Sequence, residues 1–149
     1  MGLVLESRDV QRILRKLLNR TVKVTPSKES PDHPATRRAL VNDDDALVAV
    51  ISTDLAFAHR SGAALALMPA PMVATVGDEP DEDLVENYIE VANVLSRLVN
   101  EASRARVRID PGLKVPPEQM EALVSACGCT AFHVDIEGYG PGDLAIYHG

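Results

Sequence analysis

The sequence predicts an α+β fold in which two long helices pack on an antiparallel β-sheet, arranged as one pseudo-two-fold domain over residues 1–149. Three observations carry this reading. Two segments repeat their apolar residues at helical spacing, several short runs alternate apolar and polar residues between turn signals, and the order helix, strand, hairpin occurs twice.

Taken in order, Ser7 is placed to cap a first helix running to about Asn19. Val10, Ile13, Leu14, Leu17 and Leu18 gather on one side of it, and Arg8, Arg12, Arg15 and Lys16 on the other. Thr21 to Thr25 alternates as a strand closed by Pro26, and residues 27–36 form a polar, proline-bearing loop. Residues 38–41 and 46–53 flank Asn42-Asp-Asp-Asp45 as a hairpin. Asp54 caps a second helix from Leu55 to about Met68, stopped by Pro69 and Pro71, and residues 69–80 connect onward. Asp81 opens the longest helix, to about Arg104. Arg106 to Asp110 is another strand, closed by Pro111. Pro116 and Pro117 start a short helix through about Ala126. The last hairpin pairs residues 131–137 with 143–147 across the glycine-rich turn 138–142.

The repeat supplies the symmetry. Ile13-Leu-Arg-Lys-Leu-Leu-Asn19 matches Val94-Leu-Ser-Arg-Leu-Val-Asn100 at every apolar position, and Thr21-Val-Lys-Val-Thr-Pro26 matches Arg106-Val-Arg-Ile-Asp-Pro111. A hairpin follows each, with a second strand expected to begin at Asp45 in one half and Asp143 in the other.

Composition narrows the function classes. A net charge of −7 disfavours non-specific contact with nucleic acid, whose phosphates repel such a surface. No apolar run approaches the roughly 20 residues that span a bilayer, and Glu6 to Arg20 is charged where a secretory signal needs an apolar stretch. Cys127 and Cys129 lack partners at zinc spacing, so a reduced, cytoplasmic setting is expected.

On a wheel at about 100° per residue, Leu84, Tyr88, Val91, Leu95, Leu98 and Val99 of the longest helix face one way, with Val85 and Ala92 at the margin. Asp83, Glu86, Glu90, Asn93, Arg97 and Glu101 form the opposite band. Apolar Val94 lies inside that band and Ile89 on its flank, and exposed apolar side chains beside an acid and an amide suit a partner-binding surface.

These residues resemble the CheC/CheX/FliY chemotaxis phosphatases, CheX-like proteins most. That family carries Asp or Ser, three residues, Glu, two residues, Asn, then 22 residues and a proline. Here Glu86 stands at the first position, followed by Glu90, Asn93 and, after 22 intervening residues, Pro116. Thr53-Asp-Leu-Ala-Phe-Ala also looks like the segment after the central strand of CheX proteins. In the repeat, Asp9 stands opposite Glu90 and Arg12 opposite Asn93. Arginine donates but cannot accept, so the first half is expected to lack a site.

The resemblance implies dephosphorylation of the phospho-aspartate of a CheY-like receiver domain in two-component or chemotaxis signalling. Asn93 would orient the attacking water and Glu90 would contact the receiver's active-site lysine, with Glu86, Ile89, Val94 and Arg97 as accessory or partner-binding residues. No cofactor of its own is expected, the Mg²⁺ coming from the receiver, and a homodimer is expected. Two other readings are a non-catalytic CheX-like dimeric interaction module and a component of the flagellar switch.

Other features have plainer explanations. His133 with Asp135 and Glu137 reads as a solvated sheet face rather than a metal site, and Asp43 to Asp45 as a solvated turn. Cys127-Gly-Cys129 reads as small buried residues, Gly138 to Gly142 as a turn, and the basic face of the first helix as contacting the acidic long helix or solvent.

Overall fold

The computed structural model describes residues 5–73, 77–103, 106–110, 114–126 and 128–148. The elements run α1 (Ser7–Leu18), β1 (Val22–Ser27), β2 (Arg38–Val41), β3 (Leu47–Thr53), α2 (Leu55–Leu65), α3 (Ala70–Val73), α4 (Glu82–Ser103), β4 (Arg108–Ile109), α5 (Pro117–Ala126), β5 (Gly128–Ile136) and β6 (Gly140–His148). The strands form one antiparallel sheet in the order β1-β5-β6-β3-β2-β4.

That order is its own mirror when the halves are exchanged: β3 and β6 meet at the centre, β2 and β5 flank them, and β1 and β4 lie outermost. The expected pseudo-two-fold is therefore present, and the register sharpens it. Val24 pairs with Val134 as Ile109 pairs with Leu40, so Leu40 corresponds to Val134. Leu40 then pairs with Ala49 as Val134 pairs with Gly142, which equates Asp143 with Val50, not with Asp45. Asp45 sits in the preceding turn at φ 60, so the matching aspartates are coincidental.

Alternation divides the sheet's two faces. Leu40, Ala49, Ile51, Phe132, Val134, Leu144 and Ile146 join α1, α2 and α4 in the main core. Ala39, Val41, Val50, Ala131, Ala145 and Tyr147 form a smaller core under α5 on the other face. Two long helices were expected on one side; three helices share it. α2 touches α4 so closely that a Cβ on Gly62 would lie 2.2 Å from the Leu84 carbonyl oxygen.

Several boundaries move for physical reasons. Glu6, not Ser7, occupies the N-cap of α1, and Asn19 ends the helix at φ 51 with its N–H on the Arg15 carbonyl. β1 continues through Pro26 because it is an outermost strand, where a missing N–H is tolerated. α2 ends at Leu65 in a Schellman turn: Met68 N–H donates to Ala63 O and Leu67 N–H to Ala64 O, with Leu67 at φ 57. The final hairpin is longer than its glycines suggest. Gly140 and Gly142 belong to β6, and the turn shrinks to residues 137–139. Gly142 is required by the N-terminus of α2, since a Cβ there would meet Phe57 Cβ at 2.6 Å. Residues 104 and 111, at the expected ends of the long helix and following strand, fall outside the described residues.

Candidate functional site on α4

Asp81 starts α4 by accepting the Leu84 N–H at 3.0 Å, while its own N–H donates to His59 Nε2 at 3.0 Å. The apolar stripe faces inward as the wheel requires: Leu84, Tyr88, Val91, Leu95, Leu98 and Val99 are buried, and so are the marginal Val85 and Ala92. Tyr88 fixes the rotation of the helix. It is fully buried, its ring meets Phe57 edge-on at 6.3 Å, and its hydroxyl donates to the Thr36 carbonyl at 2.9 Å. Burial pushes the Tyr88 phenol well above its usual range, so it stays a donor.

With α4 held from behind, Glu86, Glu90, Asn93 and Arg97 are exposed in one band. Glu90 and Asn93 stand three residues apart and so project side by side. Among the described residues, neither side chain has a hydrogen-bond or ion-pair partner; Ser96 Oγ donates to the main-chain carbonyl of Asn93 at 2.6 Å. Ile89 and Val94 differ from expectation in degree: both are half-buried, and neither joins the core. Pro116 is placed elsewhere in the fold. It precedes α5, its carbonyl accepting from Gln119 and Met120, and α5 packs on the sheet face opposite α4.

The corresponding helix in the first half is wired differently. Val10, Leu14 and Leu18 are buried like Val91, Leu95 and Val99, which confirms the helical phase that sets Asp9 against Glu90 and Arg12 against Asn93. Arg12 pairs with Asp9 at 3.4 Å. The other basic residues of α1 also stay within their own half: Arg8 meets Glu6 at 2.6 Å and Arg15 Nε donates to Val22 O at 3.0 Å. They do not reach the acidic band of α4.

Of the remaining candidates, His133 has a partner that sequence spacing did not suggest, Asp143 across the hairpin, with Nδ1 2.9 Å from Oδ1. Among the described residues no group of three or more His, Cys, Asp or Glu is placed to hold a metal ion. Asn42 Oδ1 organises the acidic turn by accepting from the Asp44 and Ala46 amides, and Asp45 pairs with Arg108 at 2.6 Å. Cys129 is half-buried in β5, 3.5 Å from Ser30 Oγ; Cys127 lies outside the described residues.

Sequence reasoning missed a polar set beneath the loop before β2. Arg37 grips Asp32 through two bonds of 2.7 and 2.6 Å, and this holds the Asp32 carboxyl below its usual range. Ser52 Oγ adds a bond to Asp32 at 2.9 Å, and fully buried Thr36 donates to Thr53 O at 3.0 Å. The only sequence signal was a strand, Ile51-Ser-Thr53, ending in hydroxyls.

Against known structures, this architecture is matched over nearly its whole length. The chain shares its fold with FliM middle domains and FliY. The FliM–SpeE complex from H. pylori gives a TM-score of 0.62 at 10% identity, covering 95% of this chain and 80% of that one. The FliM middle domain from Vibrio alginolyticus gives 0.60 at 12%, covering 94% and 86%. FliY from Thermotoga maritima gives 0.50 at 14%, covering 100% and 93%. At these identities the likeness is one of fold. No family model matches the sequence, and no curated relative matches it. Among the described residues no helix is long and apolar enough to cross a membrane.

Proposed function

We propose that this chain is a CheX-like protein phosphatase acting on the phospho-aspartate of a CheY-like receiver domain in chemotaxis or related two-component signalling. The observation that carries the proposal is the pair Glu90 and Asn93, exposed and side by side on a helix that Tyr88 and Gly62 fix against the core. The FliY-like fold supports it.

In this reading the Asn93 amide accepts from and donates to one water, holding it in line with the phosphoryl group while being too weak a base to deprotonate it. The water oxygen bonds to phosphorus as the bond to the aspartate oxygen breaks, leaving a carboxylate and inorganic phosphate, with the water's protons passing to phosphate and solvent. Glu90 meets the receiver's active-site lysine and docks the two proteins, flanked by Glu86, Arg97, Ile89 and Val94. The Mg²⁺ of the reaction belongs to the receiver. The protein acts in the cytoplasm, as a homodimer joined along an outermost strand of the sheet. Sedimentation equilibrium checks the dimer, and a monomer at micromolar concentration contradicts it.

A second reading, a non-catalytic interaction domain, draws on the FliM likeness, since one matching FliM chain is seen bound to SpeE. Phosphate release from a phosphorylated CheY-like receiver separates the two. Release accelerated by the chain supports the phosphatase; binding without acceleration supports the interaction domain.

A further inference from the structure

We propose that the cavity beside the first turn of α2 binds a small oxyanion, inorganic phosphate or a phosphate monoester, received by His33, His59 and Arg60. The cavity encloses about 270 Å³ and is lined by these three with Leu55, Ala56, Val73, Gly77 and Asp78.

Its hydrogen bonds decide the class of ligand. His59 is only 5% exposed, and its Nε2 accepts the Asp81 N–H, so its ring proton sits on Nδ1. His33 Nδ1 accepts the Ala35 N–H at 3.1 Å, which puts its proton on Nε2. Both ring lone pairs are thus occupied, so neither imidazole is free to ligate a metal. Each keeps one N–H, and among the described residues neither N–H has an acceptor. Burial lowers the His59 pKa, so the ring serves as a neutral donor.

The fixed positive charge is Arg60, which lies over Gly140 and donates to the Pro141 carbonyl. Leu55 and Ala56 stand in the first turn of α2, where amides lack helical acceptors; of that turn the cap carboxylate of Asp54 takes the Phe57 N–H, at 2.8 Å, and it also accepts the Asp143 N–H at 3.2 Å. The opposing charges are Asp78, which is exposed where solvent screens it, and the carboxylates of Asp54 and Asp81, which are held as the caps of α2 and α4 by the Phe57 and Leu84 amides. Two imidazole N–H groups and one guanidinium suit an anionic ligand whose oxygens accept. The volume, several times the roughly 30 Å³ share of a water molecule, admits a phosphate with a short organic tail.

The test is independent of any phosphatase activity. ¹H–¹⁵N spectra of the full chain are followed during titration with inorganic phosphate and, separately, glycerol phosphate. Saturable shifts are expected at the amides of Leu55, Ala56 and Asp81 and at the rings of His33 and His59. Affinity falls about tenfold or more in Arg60→Gln and in His33→Ala, each checked for native circular dichroism. Tighter binding of glycerol phosphate assigns the site to monoesters, and tighter binding of inorganic phosphate to the free ion. Linear, unsaturated shifts with both probes, or unchanged affinity in both variants, overturn the proposal.

Discussion

Arg12 Nη2 lies 3.4 Å from Asp9 Oδ1 on α1, at the two positions that the pseudo-two-fold matches to Asn93 and Glu90 on α4. One helix therefore spends its acid on a neighbour one turn away, while the other presents an acid and an amide to solvent. The two halves share a backbone plan but not the side chains at these positions. Arg12→Ala is expected to leave receiver dephosphorylation unchanged, because a donor-only guanidinium cannot position a water that must also be held by an acceptor. A large loss of phosphate release in that variant would place a second site on α1.

Gly62→Ala is expected to destabilise the fold by about 1–3 kcal/mol. A methyl there meets the Leu84 carbonyl oxygen at 2.2 Å and its carbon at 3.1 Å, both main-chain atoms, so α2 and α4 have to separate. Urea denaturation measures the loss. A neutral result would mean the two helices yield without cost.

Leu67→Gly is expected to stabilise the protein by about 1 kcal/mol. Leu67 holds the left-handed position of the Schellman turn at φ 57, and its side chain is 74% exposed, so little packing is lost on removing it. A rise in Tm is the expected readout; a fall would show that the exposed side chain has a contact worth more than the strain.

Acid weakens the fold in two stages. His59 has a depressed pKa because of burial, so its contribution is complete above about pH 6.5 and is lost as pH falls through its lower folded value. Asp32 has a depressed pKa chiefly through its bond from Arg37, so its contribution is complete above its ordinary value of 3.8 and is lost only below that. Urea midpoints from pH 8 to pH 3 resolve the two stages. His59→Gln is expected to flatten the upper one and leave the lower intact.

Much of this architecture was legible in the sequence, because period and punctuation are local. Asp54 and Asp81 cap helices as their positions suggest, and the wheel of α4 separates buried from exposed side chains. Legibility failed where the cause is tertiary. Gly142 belongs to a strand only because Phe57 lies over it, and Pro26 stays in β1 only because that strand is outermost. The equation of Asp45 with Asp143 failed because strand register depends on pairing, which no single strand encodes. The polar set around Asp32 and the cavity at His59 were hidden for the same reason: their members are scattered from residue 32 to residue 78.

Asn93 is proposed to position the attacking water. The decisive measurement is the rate of inorganic phosphate release from a phosphorylated CheY-like receiver with wild-type chain and with Asn93→Ala, at matched concentration and with Mg²⁺ present. Asn93 is exposed, so the substitution should change folding stability by no more than about 0.5 kcal/mol. The predicted result is acceleration by the wild type and its loss in Asn93→Ala, with receiver binding retained. Equal acceleration by both proteins would contradict the mechanism, and no acceleration by either would leave the fold as an interaction domain.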